Sequence, residues 1–258
     1  MLNRSILEIT GPDRKKFLQG LITNDVNKAT EKNLIYSAML NAQGRFLYDF
    51  FIFEIGEKLI LDCLASRRDE ILKKLNFYKL RAEVEIKKND ELKIFHSFED
   101  TASSFPDPRN KNLGHRLYSH TYHLPPIAYR LEYDLNRILL KIPESEQDLT
   151  YEKSFILEFG FDDLNAVDYQ KGCYVGQELT ARTHHTGQIR KKIFHIKISD
   201  GKAIQKNTEI SCEGKSVGLV LSSIFHNSEL HALALLKLPE AGDFGNLEAE
   251  NKKILIID

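Results

Sequence analysis

Lys171, Gly172, Cys173, Gly176, Gln177 and Glu178 put a cation, a thiol, an amide, an acid and two glycines within eight residues, and Arg182 follows four positions later. A thiolate is both a nucleophile and a soft metal ligand. Nearby positive charge from Lys171 or Arg182 favours the thiolate form of Cys173. Gln177 and Glu178 carry the groups that read the donor and acceptor edge of a heterocycle. Gly172 and Gly176 let the backbone turn tightly and approach a ligand closely. The same string also suits a plainer role, a small thiol in a glycine-flanked turn with Lys171 and Glu178 in water.

Other residues offer less. Asp49 follows the turn Asn41-Ala42-Gln43-Gly44 and could act as an acid or base, or cap a local amide as a strand-end carboxylate. His115, His120 and His123 have no standard metal-ligand spacing and no neighbouring acid or thiol. His184-His185, read as part of a strand, would face opposite ways and could not chelate together. Arg190-Lys191-Lys192, with Arg182, forms a basic run that suits a solvated surface, an anionic ligand tail or an acidic partner. Cys63 and Cys212 alternate with apolar neighbours and read as buried small hydrophobes. Three scattered cysteines do not make a four-cysteine cluster site.

These residues need a scaffold, and the hydrophobic pattern predicts one. Ser5–Thr10 reads as a strand, Asp13–Gln19 as a helix stopped by Gly20, and Tyr36–Leu40 and Phe46–Phe53 as strands around the Gly44 turn. Lys58–Leu64 pairs with the second of these. A helix follows, with Ser66 as N-cap, Asp69 as its N3 acid and Ile71, Leu72, Leu75 and Tyr78 as its apolar stripe. Glu83–Lys87 and Lys93–His96 return to strand alternation. Phe105-Pro106-Asp107-Pro108-Arg109 marks a turn-rich break, and two shorter mixed stretches follow, Ala128–Ile142 and Tyr151–Val167. Beyond Lys191, short strands separated by turns, including the hairpin signal Glu213-Gly214, predict a small β-barrel or sandwich.

Composition sets outer limits. The chain has 258 residues, 42% hydrophobic and 28% charged, with a net charge of −1. That is a globular balance with enough apolar mass for a core. Bulk charge predicts no direct nucleic-acid partner, and no apolar run is long enough to predict a membrane span. Sparse cysteines fit a reducing compartment. The opening residues lack a transit or secretory pattern, which leans to a bacterial cytoplasm, or to the mitochondrial matrix for a mature eukaryotic chain.

The string from Lys171 to Glu178, KGCYVGQE, resembles the signature of the YgfZ family, which includes the mitochondrial Iba-type iron–sulfur assembly factors. Leu7–Asp25 resembles the opening of that family, Leu40–Phe53 its Gly-Arg turn and following strand, Phe105–Arg116 its D-P-R link, and Phe161–Val167 its lead into the signature. The last 65 or so residues match only in general β character. The family is similar in fold to the T-protein of the glycine cleavage system, a tetrahydrofolate-dependent aminomethyltransferase. The resemblance implies an α+β, T-protein-like fold of three small domains around a central opening. A discontinuous folate-binding domain would span 1–41 and 98–188, a ferredoxin-like insert 42–97, and a C-terminal β-barrel 189–258.

It further implies tetrahydrofolate or a derivative as cofactor, with Lys171, Gly172, Gly176, Gln177, Glu178 and Arg182 near it. Cys173 would be the essential residue, in redox exchange or as a ligand to a cluster held transiently with a partner's thiols. The implied partners are iron–sulfur scaffold or carrier proteins and four-iron client enzymes, including radical enzymes that modify tRNA. The alternative is a folate-dependent one-carbon transferase or demethylase with Asp49 as catalytic acid or base. Two departures bear on that alternative. Tyr48 stands where relatives have the first acid of a pair, and Lys141 stands where they usually have Gly.

Overall fold

The computed structural model describes residues 3–101, 104–121, 128–198, 203–239 and 244–257. Strand β1 (Arg4–Thr10) leads through α1 (Arg14–Gln19) to a hairpin of β2 (Ile35–Leu40) and β3 (Phe46–Ile55), then β4 (Lys58–Leu64), α2 (Arg68–Lys79) and β5 (Glu85–Asn89). These five strands form one antiparallel sheet in the order β2-β3-β4-β1-β5. The sheet is apolar on both faces because both are covered. Phe51 and Phe53 of β3 enter one core, while Phe50 and Ile52 enter a second with Ile71 and Leu75 of α2. The expected division at residues 41 and 42 falls in the β2–β3 turn, so strands allotted to two domains share this sheet.

A three-stranded sheet follows, built from β6 (Lys93–Ser97), β7 (Ser104–Pro106) and β8 (His115–Ser119) in the order β6-β8-β7. Helix α3 (Ala128–Leu139) then packs on the body. It ends in a Schellman turn, with the Ile142 N–H on the Arg137 carbonyl and the Lys141 N–H on that of Ile138. Lys141 occupies the left-handed position of that turn, φ 56°. A glycine, which the family resemblance leads one to expect there, would take this conformation freely, and Lys141 adopts it at some strain.

Helix α4 (Gln177–Thr186) precedes the barrel, which is made of β9 (Lys191–Ile198), β10 (Glu209–Cys212), β11 (Lys215–His226), β12 (Glu229–Lys237), β13 (Leu247–Ala249) and β14 (Lys252–Ile257). It closes in the order β10-β11-β12-β9-β14-β13. Leu230, Ala232, Ala234 and Leu236 fill its interior. Leu233, with Leu221 and Ile193, points outward into the core of the body. Period-2 alternation on β12 thus serves two cores with one strand.

Three local expectations change. Ser66 does not cap α2. It lies in a 3-10 turn, and its hydroxyl donates to Glu146. His184 and His185 lie in the last turn of α4, not on a strand. The Phe105–Arg109 segment buries its charged residues, as described below. His123 lies outside the described residues. Among those residues no helix is long and apolar enough to cross a membrane, and no three metal-ligating side chains gather.

Candidate functional site

The segment ahead of α4 is tied down on both sides of an exposed thiol. The Lys171 ammonium donates to three backbone carbonyls, Gln19 at 2.7 Å, Ile22 at 2.6 Å and Asn24 at 2.9 Å. These are carbonyls left open at the end of α1 and in the loop after it. Burial pulls the Lys171 pKa down to about 8, against the opposing charges of Asp25 and Asp168, so the ammonium stays charged at neutral pH. On the other side, the Val175 N–H donates to Gly20 O, and the Tyr174 N–H donates to the Gln177 side chain at 3.1 Å. Asp168 accepts from the Gln170 N–H and pairs with Lys28.

Cys173 sits between these anchors and is exposed. Cys63 is buried, and burial pushes its pKa up to about 12. Cys212 is half-buried, and its thiol donates to Phe244 O at 3.0 Å.

The two signature glycines differ in kind. Gly176 has φ 82°, and a Cβ there would lie 2.3 Å from Asn41 O. Gly44, φ 73°, faces it, with a Cβ there 3.1 Å from Gly176 O. The Gly44 turn and the head of α4 therefore fit only as glycine against glycine. Gly172 has neither constraint, since a Cβ there would meet open space. Glu178 is exposed in the first turn of α4, where its charge suits the helix dipole. Arg182 projects into a groove of about 330 Å³ between α4, residues 155–158 and residues 188–190. The structure thus brings Gly44 and Gly176 together. It places Lys171 on backbone carbonyls and Arg182 in a separate groove.

A second hollow, of about 450 Å³, opens beside Tyr48 and Asp49. The Tyr48 hydroxyl donates to Glu70 at 2.7 Å, and Arg67 holds the other oxygen of Glu70 at 2.7 Å while stacking on Tyr151. Burial pushes the Tyr48 pKa up. Burial also acts to raise that of Glu70, but hydrogen bonds from Tyr48 and Arg67 outweigh it and hold the carboxyl below its usual range. The Ser145 hydroxyl is buried, lines this hollow and has no hydrogen-bond partner among the described residues. Asp49 lies at its floor with its carboxylate engaged, by Arg4 at 3.0 Å and by the Tyr36 hydroxyl at 3.1 Å.

Those contacts open onto a buried charge network that sequence reasoning missed. Arg4 bridges Asp49 and Asp62, Arg116 bridges Asp62 and Asp107, and Arg109 pairs with Asp107 and reaches Glu144. The three guanidiniums surround the Phe51 ring, Arg116 most closely at 3.3 Å from its centroid. Burial opposes ionisation of Asp107 and Glu144, yet Arg109 and its neighbours hold each at about 2. A signal existed. Asp49 and Asp62 stand inside otherwise apolar strands, and an acid in such a strand needs a buried cation.

With this geometry in hand, the similarities to known proteins fall into place. Residues 3–92 match the GCVT N-terminal domain. The iron-sulfur cluster assembly factor IBA57 homolog, mitochondrial, of Pyricularia oryzae is 32% identical over 235 residues, covering 82% of this chain and 60% of that protein. The human factor IBA57, mitochondrial, is 31% identical over 231 residues, covering 76% of this chain and 65% of its own. Aminomethyltransferase T of the glycine cleavage system from Bartonella henselae superposes with a TM-score of 0.73 at 13% identity, over 99% of this chain and 82% of its own. These similarities point to the T-protein-like family that includes the IBA57 factors. The fold of the chain is that of the T-protein, with a closed six-stranded barrel at the C-terminal end. The chain spans 60–65% of the length of these two IBA57 relatives. Within this T-protein-like frame, Tyr48 and Asp49 lie beside one hollow, and the signature segment frames the other groove through Gly44 and α4.

Proposed function

We propose that the protein is a tetrahydrofolate-binding factor for the assembly or repair of iron–sulfur clusters, with Cys173 as its working thiol. The observation that carries this reading is the contrast among the three cysteines. Two are buried or engaged, and Cys173 alone is exposed, on a segment fixed by Lys171 and Gly176. A thiol presented this way can take one coordination position on a cluster whose other ligands belong to a partner. No second cysteine or cluster of ligands joins it among the described residues, which suits a shared, transient cluster. The clients on this reading are four-iron enzymes, including radical enzymes that modify tRNA. The workplace is the compartment where clusters are built, the mitochondrial matrix, in keeping with relatives named mitochondrial, or a bacterial cytoplasm.

The hollow beside Tyr48 fits the pterin head of a folate. The Tyr48 and Tyr151 rings offer flat faces, Glu70 an acceptor, and Ser145 a buried hydroxyl in want of a partner. When bound, tetrahydrofolate supplies a carrier for one-carbon units. The chain's own residues orient it and shield it from water. The transferase reading draws on Asp49 at the floor of the same hollow, but Arg4 and Tyr36 hold that carboxylate and Tyr48 supplies no second one.

The test is anaerobic reconstitution with iron and sulfide, alone and with a purified scaffold protein, followed by optical spectra of wild type and Cys173→Ser. The shared-cluster spectrum is expected to need both partners and to vanish in Cys173→Ser at an unchanged unfolding midpoint. Full cluster uptake by the variant would remove Cys173 from the mechanism. One-carbon turnover on a panel of methylated amines would favour the transferase instead.

A further inference from the structure

The groove between α4 and residues 155–158 shares no lining residue with the hollow beside Tyr48, and neither cluster chemistry nor folate binding uses it. Its floor is apolar, from Phe155, Leu157, Leu179 and Ile189. Its rim carries Arg182 and Arg190, both exposed. Among the described residues, eight arginines of this chain pair with a carboxylate. Arg182 and Arg190 do not, nor do Arg45 and Arg81, and Lys191 directly follows Arg190. Glu158 is the acid within the groove; burial pushes its pKa up, against the opposing charges of Lys191 and Arg45. Two guanidiniums left without anions around an apolar floor complement an acidic segment with an apolar side chain among its charges.

The position gives the surface a purpose. Helix α4 begins four residues after Cys173 and rises about 1.5 Å per residue, so Arg182 stands about 8 Å along its axis from Gln177. A protein seated in the groove therefore lies against the helix that begins four residues after Cys173.

We propose that this groove is the docking surface for an acidic, apolar-anchored segment of the cluster-bearing partner protein. The identity of the partner rests on the function proposed above; the surface and its charge preference rest on the groove alone. The apolar floor favours a protein segment over the polyglutamate tail of a folate, which has acids and nothing to seat on Leu157 or Leu179.

The test measures calorimetric affinity of the full chain for a purified, cluster-loaded scaffold protein from the same source, in a Cys173→Ser background. Docking is then read separately from cluster ligation. Arg190→Glu is expected to weaken binding about tenfold and to flatten its salt dependence. Thr183→Trp, which fills the groove from α4, is expected to weaken it by about as much with no change in salt dependence. Wild-type affinity in both variants, or no binding by the parent protein, overturns the proposal. So does weakened binding of pentaglutamyl tetrahydrofolate with scaffold affinity untouched, which would make the groove a folate-tail site. Failure of cluster uptake to depend on Cys173, with docking still sensitive to Arg190, would sink the function proposed above and leave the surface standing.

Discussion

Replacing Lys171 by Met keeps the length and apolar stem of the side chain and deletes its donors. Three carbonyls, of Gln19, Ile22 and Asn24, then lose a charge-assisted partner. An orphaned buried carbonyl costs about 1 kcal/mol, so the gross loss is about 3 kcal/mol. Relief of a buried charge offsets part of it, since burial already pulls the Lys171 pKa down to about 8. The net expectation is about 2 kcal/mol of destabilisation, or a midpoint lower by about 4–8 °C for a chain of this size. The loss should be local first. Native-state hydrogen exchange at Tyr174 and Val175, whose N–H groups bond Gln177 and Gly20, should speed up about 30-fold, while the barrel strands keep their protection. Lys171→Arg should not rescue, because a planar fork cannot aim three donors at one point. An unchanged midpoint with unchanged exchange at 174 and 175 would show that the segment carrying Cys173 is held by something other than this ammonium.

Gly176→Ala should cost at least about 2 kcal/mol, from positive φ and a Cβ driven onto Asn41 O, whereas Gly172→Ala should fall within about 0.5 kcal/mol of wild type in urea unfolding. Arg116→Met strands Asp62 and Asp107, and should lower stability by about 3 kcal/mol, the low end for a broken buried pair because Arg4 and Arg109 remain. Burial, aided by His231 and Lys197, holds His195 down at about 4, and burial lowers His231 as well, while the two rings share a hydrogen bond of 2.9 Å. Unfolded imidazoles take up protons near their ordinary value of about 6.5, so stability should fall as pH drops from about 6.5 towards 4. The urea midpoint at pH 5 should lie below that at pH 7, and the gap should narrow in His195→Gln, which keeps a hydrogen-bonding group and does not titrate.

Much of the architecture was legible because it follows from local pattern. The β2–β3 hairpin announced itself through Gly44, and the barrel through short alternating strands such as Phe194, Ile196 and Ile198. The signature marked the segment that carries Cys173. What escaped was set by contacts far apart in sequence. Nothing near Lys171 says that its ammonium closes the end of α1, about 150 residues earlier. Gly172 and Gly176 look alike in the string, and only the approach of the Gly44 turn separates them. Asp107-Pro108-Arg109 reads as a polar link because turn residues surround it, yet Arg109 and Arg116 are buried against Phe51. The His184-His185 pair was misplaced because a polar stretch shows no period, and the left-handed Gly187 that ends α4 was the available signal.

Asp148 binds Arg137 with one oxygen and, with the other, accepts the main-chain N–H of Ser222 in the barrel at 2.8 Å. That join recognises a peptide group and ignores the side chain that follows it. Any amino acid except proline at position 222 carries the same donor, although the buried site limits its size. The barrel is thus joined to the body by a main-chain bond that does not depend on side-chain identity, beside the apolar contacts of Ile193, Leu221 and Leu233.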